Sequence, residues 1–345
     1  MIENVKAAPE AAGKLTGRLI VVLGMHRSGT SSTTRAMAAL GAEFGDRLLQ
    51  PIAGVNEKGF FEDVDILGLN VELMNAAGVE WHAIGETDLS KIDPVRLDAF
   101  QKRAIATLRA KCQGRTFALK DPRLSRLMPF WQPVFDAIGI PVSYVVTVRH
   151  PISVARSLGK RDGFAEEKSY LLWLAHVVPA LVDTRGHTRV IVDYDLLLDN
   201  PRGELERMAK QLGLPLGAQQ AEEFGREFLE EGLRHTRFHA RDLDVIRSAP
   251  HSVKRLFAAL QVAAGTGGGE EELEAAVESG REYMEDLAPL LGLEMRVHQH
   301  IVGLNTAIAQ RDQQLAQLRA AVTQRDHRIA ALERLLVQPK LVQGA

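Results

Sequence analysis

Two short runs in this chain place cation and hydroxyl groups directly after stretches that read as buried strands. The first is Gly24-Met25-His26-Arg27-Ser28-Gly29-Thr30-Ser31, which follows the apolar run 18–25 and precedes a helix-like TSSTTRAMAAL. Backbone N–H groups in such a turn, with those of the following first helical turn, point at one spot and bind an anion. Glycines let the chain bend tightly and come close to a phosphate. The spacing approaches the triphosphate loop GxxxxGK[ST], but Thr30 stands where that loop needs its lysine. This counts against ATP or GTP hydrolysis, and Arg27 supplies a cation from inside the turn instead. An ordinary strand-to-helix turn is the competing reading of the same string.

The second run is Arg149-His150-Pro151-Ile152-Ser153-Val154-Ala155-Arg156-Ser157, after the strand-like VSYVVTVR. Arg149 falls at the carboxyl end of that strand, where open α/β sheets bind ligands. Pro151 suits a first helical position. Ser157, about two turns into the helix, is placed to face the same side. An Arg and a Ser meeting there grip a phosphate by charge-assisted hydrogen bonds. Read alone, the run is better explained by a surface Arg beside a helix cap.

Together the two runs resemble the nucleotide-binding elements of sulfotransferases that use 3′-phosphoadenosine 5′-phosphosulfate. GMHRSGTSS is similar to that family's 5′-phosphosulfate loop, (P/H)-(K/R)-S-G-T-(T/S). The Arg149…Ser157 separation matches its 3′-phosphate site. The stretch DYDLLLDNPRGELERMAKQLGLP (193–215) is similar to its Y-(E/D)-D-L-L…P…L-G-L-P segment. The resemblance covers about residues 18–240. It implies that Arg27, Ser28, Gly29, Thr30 and Ser31 hold the 5′-phosphosulfate and that Arg149 and Ser157 hold the 3′-phosphate. The phosphosulfate nucleotide is then a co-substrate, and no metal is required.

The resemblance also implies catalytic groups. Asn56-Glu57-Lys58-Gly59-Phe60-Phe61-Glu62 resembles the N-x-K-G-(F/Y)-(F/W)-E segment of bacterial carbohydrate-type members, which makes Glu62 the first candidate base and Glu57 the second. Acids also favour helix N-termini, and Glu62 and Asp63 fit that simpler role. Lys120-Asp121-Pro122-Arg123 is similar to a strand-end K-D-P of tyrosylprotein members, whose Lys contacts the sulfuryl group. Pro122 occupies the position of the cytosolic members' catalytic His, so a His base of that kind is absent. The implied function is sulfuryl transfer to an acceptor hydroxyl, at family level one on a saccharide. Leu233-Arg234-His235-Thr236-Arg237 resembles an L-R-H segment of some members, although a solvated helix face is the better reading. A P-loop kinase and a non-catalytic coiled-coil scaffold are the competing functions.

These groups need a scaffold. Apolar β-branched runs at 18–25, 115–120, 142–149 and 188–194 alternate with helix-like stretches, which predicts an α/β fold. The resemblance adds a P-loop-like parallel sheet flanked by helices. The 123–138 segment reads as helix interrupted by prolines and the 167–186 segment as an amphipathic helix. The expected organisation is a loose arm over 1–16, a catalytic domain over 17–262, a glycine-rich linker over 263–272, a helical connector over 273–293 and a coiled coil over 294–338. In the last segment Ile301, Leu304, Ile308, Leu315, Leu318, Val322, Ile329, Leu332 and Leu336 form a heptad seam, interrupted by Arg311 and Arg325 within two copies of QRD. This seam predicts a homo-oligomer, with packing on the protein's own body as the alternative.

The composition narrows the partners. Of 345 residues 46% are hydrophobic, the formal net charge is −2, and the single cysteine, Cys112, cannot form an intrachain disulfide. No global basicity indicates nucleic acid. No apolar run approaches the roughly 20 residues of a membrane span, and the first residues lack a signal-like apolar core. A cytoplasmic protein is therefore expected.

Overall fold

A computed structural model describes residues 16–52, 59–228 and 238–337. All but the last residue of the arm expected over 1–16 and the second candidate base, Glu57, lie outside the described residues, as does the 233–237 basic cluster. Four strands, β1 (Gly17–Leu23), β2 (Arg115–Lys120), β3 (Val142–Val148) and β4 (Arg189–Asp193), form one parallel sheet in the order β2-β1-β3-β4. Their residues are apolar on both faces, as helix-covered parallel strands must be. Ile20, Val22, Val145, Val190 and Val192 pack on one side with Ala36 and Met37 of α1 (Thr30–Ala39) and with Leu205, Met208 and Leu212 of α8 (Pro201–Leu212). Leu19, Val21, Leu23 and Val146, of opposite parity, are also fully buried.

The strand order determines where a ligand belongs. From β1 the chain passes through α1, α2 (Val64–Ala76) and α3 (Pro94–Cys112) to β2 on one side. From β2 it passes through α4 (Leu124–Ile138) to β3 on the other side of β1. The switch point therefore lies between β1 and β3 at their carboxyl ends. Those ends are level: Val22 pairs with Lys120, Leu23 with Val146, and Val148 with Asp193. One sheet edge thus carries the Gly24–Gly29 turn, Lys120–Arg123, Arg149 and Tyr194.

Three local expectations change. The α4 helix is continuous through Pro129 and Pro133. The α6 helix (Glu166–Val182) is buried nearly all round rather than amphipathic; the Ser169 hydroxyl bonds to the Ala165 carbonyl and the His176 Nδ1 to the Leu172 carbonyl, while the His176 Nε2 is buried without a partner. The linker expected over 263–272 is mostly helix. The helix α11 (His251–Thr266) ends at Gly267, whose φ of 67° suits a left-handed C-cap, and α12 (Glu270–Val337) starts three residues later. The opening turns of α12 pack on the body through Leu273, Ala276 and Val277, and Gly280 admits Val178 and Leu174 of α6.

The chain divides into two units, up to Ala288 and from Pro289. The second unit is helix α12 up to Val337, and its seam residues from Ile301 to Leu332 are 45–63% exposed.

Candidate nucleotide and transfer site

The turn after β1 is built to present its backbone. Arg27 has φ 68° and Gly29 φ 85°, both left-handed, around a Ser28 N–H bonded to the Met25 carbonyl at 3.2 Å. Such alternation curls successive N–H groups toward one point. A non-glycine residue at positive φ is uncommon and costs of order 1 kcal/mol or more, so the surroundings must hold Arg27 there. Ser125 of α4 accepts the Gly24 N–H at 2.9 Å. Any Cβ at Gly29 would sit 2.0 Å from the Tyr194 ring. Glycine at position 29 is thus required twice, by φ and by the tyrosine beneath it.

The second predicted cluster converges on this turn. The Arg27 Nε donates to the Ser157 hydroxyl at 2.7 Å. An Arg149 Nη1 donates to the Arg27 carbonyl at 3.2 Å, while its guanidinium lies 4.7 Å over the Tyr194 ring. Residues more than 120 positions apart meet at the switch point. Burial, then the like charges of Arg161 and Arg149, press the Arg27 guanidinium below its ordinary pKa. The buried Ser28 hydroxyl and Arg149 Nε have no hydrogen-bond partner. Crowded cations with unspent donors are what a phosphorylated ligand would satisfy. The residues present therefore fit a nucleotide carrying two separate phosphate groups.

Beside it lies a charge-balanced cluster at the end of β2. The Lys120 Nζ donates to Glu62 at 2.6 Å and to the Phe60 carbonyl at 3.0 Å, and both side chains are almost fully buried. The Phe60 carbonyl also accepts the Ser31 hydroxyl at 3.3 Å, which joins this cluster to the first turn of α1. Arg123 lies 3.9 Å from Glu62 and 3.0 Å from Asp121. Asp121 accepts from Asn70 at 3.0 Å, whose own carbonyl accepts the Trp131 indole N–H at 2.8 Å. Asp121 is thus structural, tied to Arg123. Burial raises the Glu62 pKa, with Lys120 opposing. Asp63 rather than Glu62 takes the helix-capping role, accepting the Asp65 and Ile66 N–H groups.

One wall of the site had no counterpart in the sequence reading. The His26 ring lies 4.3 Å from Trp81 at a tilt of 47°, Arg161 lies 5.2 Å over the same indole, and Phe164 packs against Trp81 and His82. The buried Arg126 holds the loop bearing Trp81 by donating to the carbonyls of Trp81, Ala83 and Gly85. Burial pushes the Arg126 guanidinium down to about 10, with only Glu86 opposing. Burial, with Arg123 next, holds the His26 imidazole well below its usual pKa, so it is neutral at pH 7. An arginine on the apolar face of LSRLMPF was the one available sign.

No family model matches the chain. No curated protein matches it either. Among solved structures it is similar to the sulfotransferase domain of the Synechococcus PCC 7002 olefin synthase, at 16% identity and a TM-score of 0.38, over 79% of this chain and 98% of that one. It is also similar to retinol dehydratase in complex with androsterone and the inactive cofactor PAP, at 12% identity and a TM-score of 0.30, over 78% of this chain and 80% of that one. Among the described residues no group of three or more His, Cys, Asp or Glu is placed to hold a metal, and no helix is long and apolar enough to cross a membrane.

Proposed function

We propose that this chain is a sulfotransferase moving a sulfuryl group from 3′-phosphoadenosine 5′-phosphosulfate to an acceptor hydroxyl, with a saccharide as the acceptor class. The observation that carries this reading is the meeting of the Arg27–Ser31 turn with Arg149 and Ser157 at the β1/β3 switch point. It offers two anion positions and has threonine where a triphosphate loop has lysine. In this reading the turn amides, Arg27, Ser28 and Ser31 hold the 5′-phosphosulfate, and Arg149 and Ser157 the 3′-phosphate. The acceptor oxygen forms a bond to sulfur as the bridging sulfur–oxygen bond breaks, and the nucleotide leaves as the 3′,5′-bisphosphate. Glu62 takes the hydroxyl proton. Its raised pKa makes it a stronger base than an ordinary carboxylate. Lys120, 2.6 Å from it, and Arg27 supply positive charge where the transferring group and leaving phosphate need it.

Isothermal titration of the full chain separates this from a kinase. Adenosine 3′,5′-bisphosphate should bind and ATP should bind far more weakly; the reverse preference overturns the assignment. Labelled phosphosulfate donor with a panel of saccharides then tests the transfer and the acceptor class.

A further inference from the structure

The exposed seam of α12 holds more information than its apolarity. We infer that a second copy of this chain pairs with it in antiparallel orientation, centred between residues 316 and 317. The first seam positions of the repeat are Ile301, Ile308, Leu315, Val322 and Ile329, and the second are Leu304, Arg311, Leu318, Arg325 and Leu332. Both arginines occupy the second kind. A parallel pair stacks like on like, so each arginine would face its own copy in two core layers. Reversing one helix stacks first positions on second ones, which gives Ile301 on Leu332, Leu304 on Ile329, Ile308 on Arg325, Arg311 on Val322 and Leu315 on Leu318. Every arginine stem then packs on a β-branched side chain while its head reaches water. The same register places Val297, another exposed apolar residue, level with position 336, so the seam is used from end to end.

Charge selects the register. In an antiparallel pair the residues following the second seam positions face one another across the interface. With the centre at 316/317, Asp312 faces Arg319 of the other copy, and symmetry repeats the pair. Sliding by one heptad in one direction sets Asp312 against Asp326 and Arg319 against itself; sliding in the other sets Asp312 against itself. A parallel pair gains an Arg328–Glu333 contact, but a surface pair contributes only about 0.2–1 kcal/mol, too little to offset two like-charged core layers. The seam is apolar enough for association, and its polar interruptions specify direction, as seam arginines and flanking charges do in helix pairs generally.

Spin labels on the full chain decide the matter. Cys112 is buried with its thiol pushed up to about 12 by burial, so an introduced cysteine reacts selectively. Val302→Cys should give a label-to-label distance near 44 Å, because the two copies of residue 302 lie 29 residues apart along the pair at 1.5 Å each. A mixture of Val302→Cys and Ala331→Cys protein, singly labelled, should add a short distance of about 20 Å or less, because those residues are level. A short distance for Val302→Cys alone overturns the orientation. Full-length protein that is monomeric by light scattering at micromolar concentration overturns the pairing altogether. Arg319→Asp should weaken association roughly tenfold and Asp312→Arg with Arg319→Asp should restore it; an unaffected Arg319→Asp protein overturns the register.

Discussion

Two charged clusters share one edge of the sheet and are built on opposite plans. Around Arg27, Arg149 and Ser157 cations crowd together, the backbone is held at positive φ, and a buried hydroxyl and a guanidinium nitrogen remain without partners. Around Lys120, Glu62, Asp121 and Arg123 two acids meet two bases, and a chain of hydrogen bonds runs through Asn70 to Trp131 in the core. In the proposed reading the first arrangement is balanced by the phosphate groups it binds. The second is already balanced within itself. In the proposed reaction Glu62 and Lys120 belong to this balanced set, and Arg27 serves both binding and transfer.

The largest expected effect comes from breaking the balanced cluster. Lys120→Met leaves Glu62 buried without its partner and should cost about 3–5 kcal/mol in denaturant unfolding. Lys120→Met with Glu62→Leu should recover much of that loss; a double variant no more stable than the single one would show that the pair is not the source. Next in size is Glu62→Gln, which keeps the shape but removes the base. Turnover should fall about 10²–10⁴-fold while bisphosphate affinity holds, and a fully active variant removes Glu62 from the reaction. If Glu57→Gln is then inactive, the base lies there.

On the cation-rich side, Arg149→Ala or Ser157→Ala should weaken binding of the 3′-phosphorylated nucleotide by about 1.5–3 kcal/mol. An analogue lacking the 3′-phosphate should be nearly unaffected; equal losses for both would place the 3′-phosphate elsewhere. The smallest effect concerns pH. Burial, with Arg126 next, lowers His176 from 6.5 to about 3, so the folded state binds fewer protons than the unfolded one between those values. Stability should therefore decline as pH falls from about 6.5 toward 3. Thermal melts of His176→Gln between pH 7 and 4 should show a shallower decline than the parent, and parallel curves would exclude this histidine as a cause.

The turn after β1 was legible in the sequence because its signals are local: strand, glycine, cation, helix. So were the strands, since β-branched runs buried on both faces have few other readings. The Arg149 and Ser157 run was legible only through the family resemblance. The Trp81 wall was not legible. Arg126 captures carbonyls 41–45 residues away, and a side chain bonding to backbone leaves no residue pattern at the acceptor end. The all-round burial of α6 was hidden by Ser169 and His176, whose hydroxyl and Nδ1 bond to carbonyls one turn back. The glycine run at 267–269 has a sequence signal that a flexible spacer shares with a helix end, and in the structure Gly267 closes a helix.

The contact between His26 and Trp81 has an optical consequence. Of the chain's three tryptophans, Trp131 and Trp173 are sealed in the core, whereas Trp81 is partly exposed and packs at a tilt against His26 of the turn after β1. Any ligand that shifts the turn, or any acid that charges His26, alters the surroundings of one indole and leaves the other two constant. The protein's own ultraviolet emission therefore reports occupancy of this turn without a dye, and Trp81→Phe supplies the dark control.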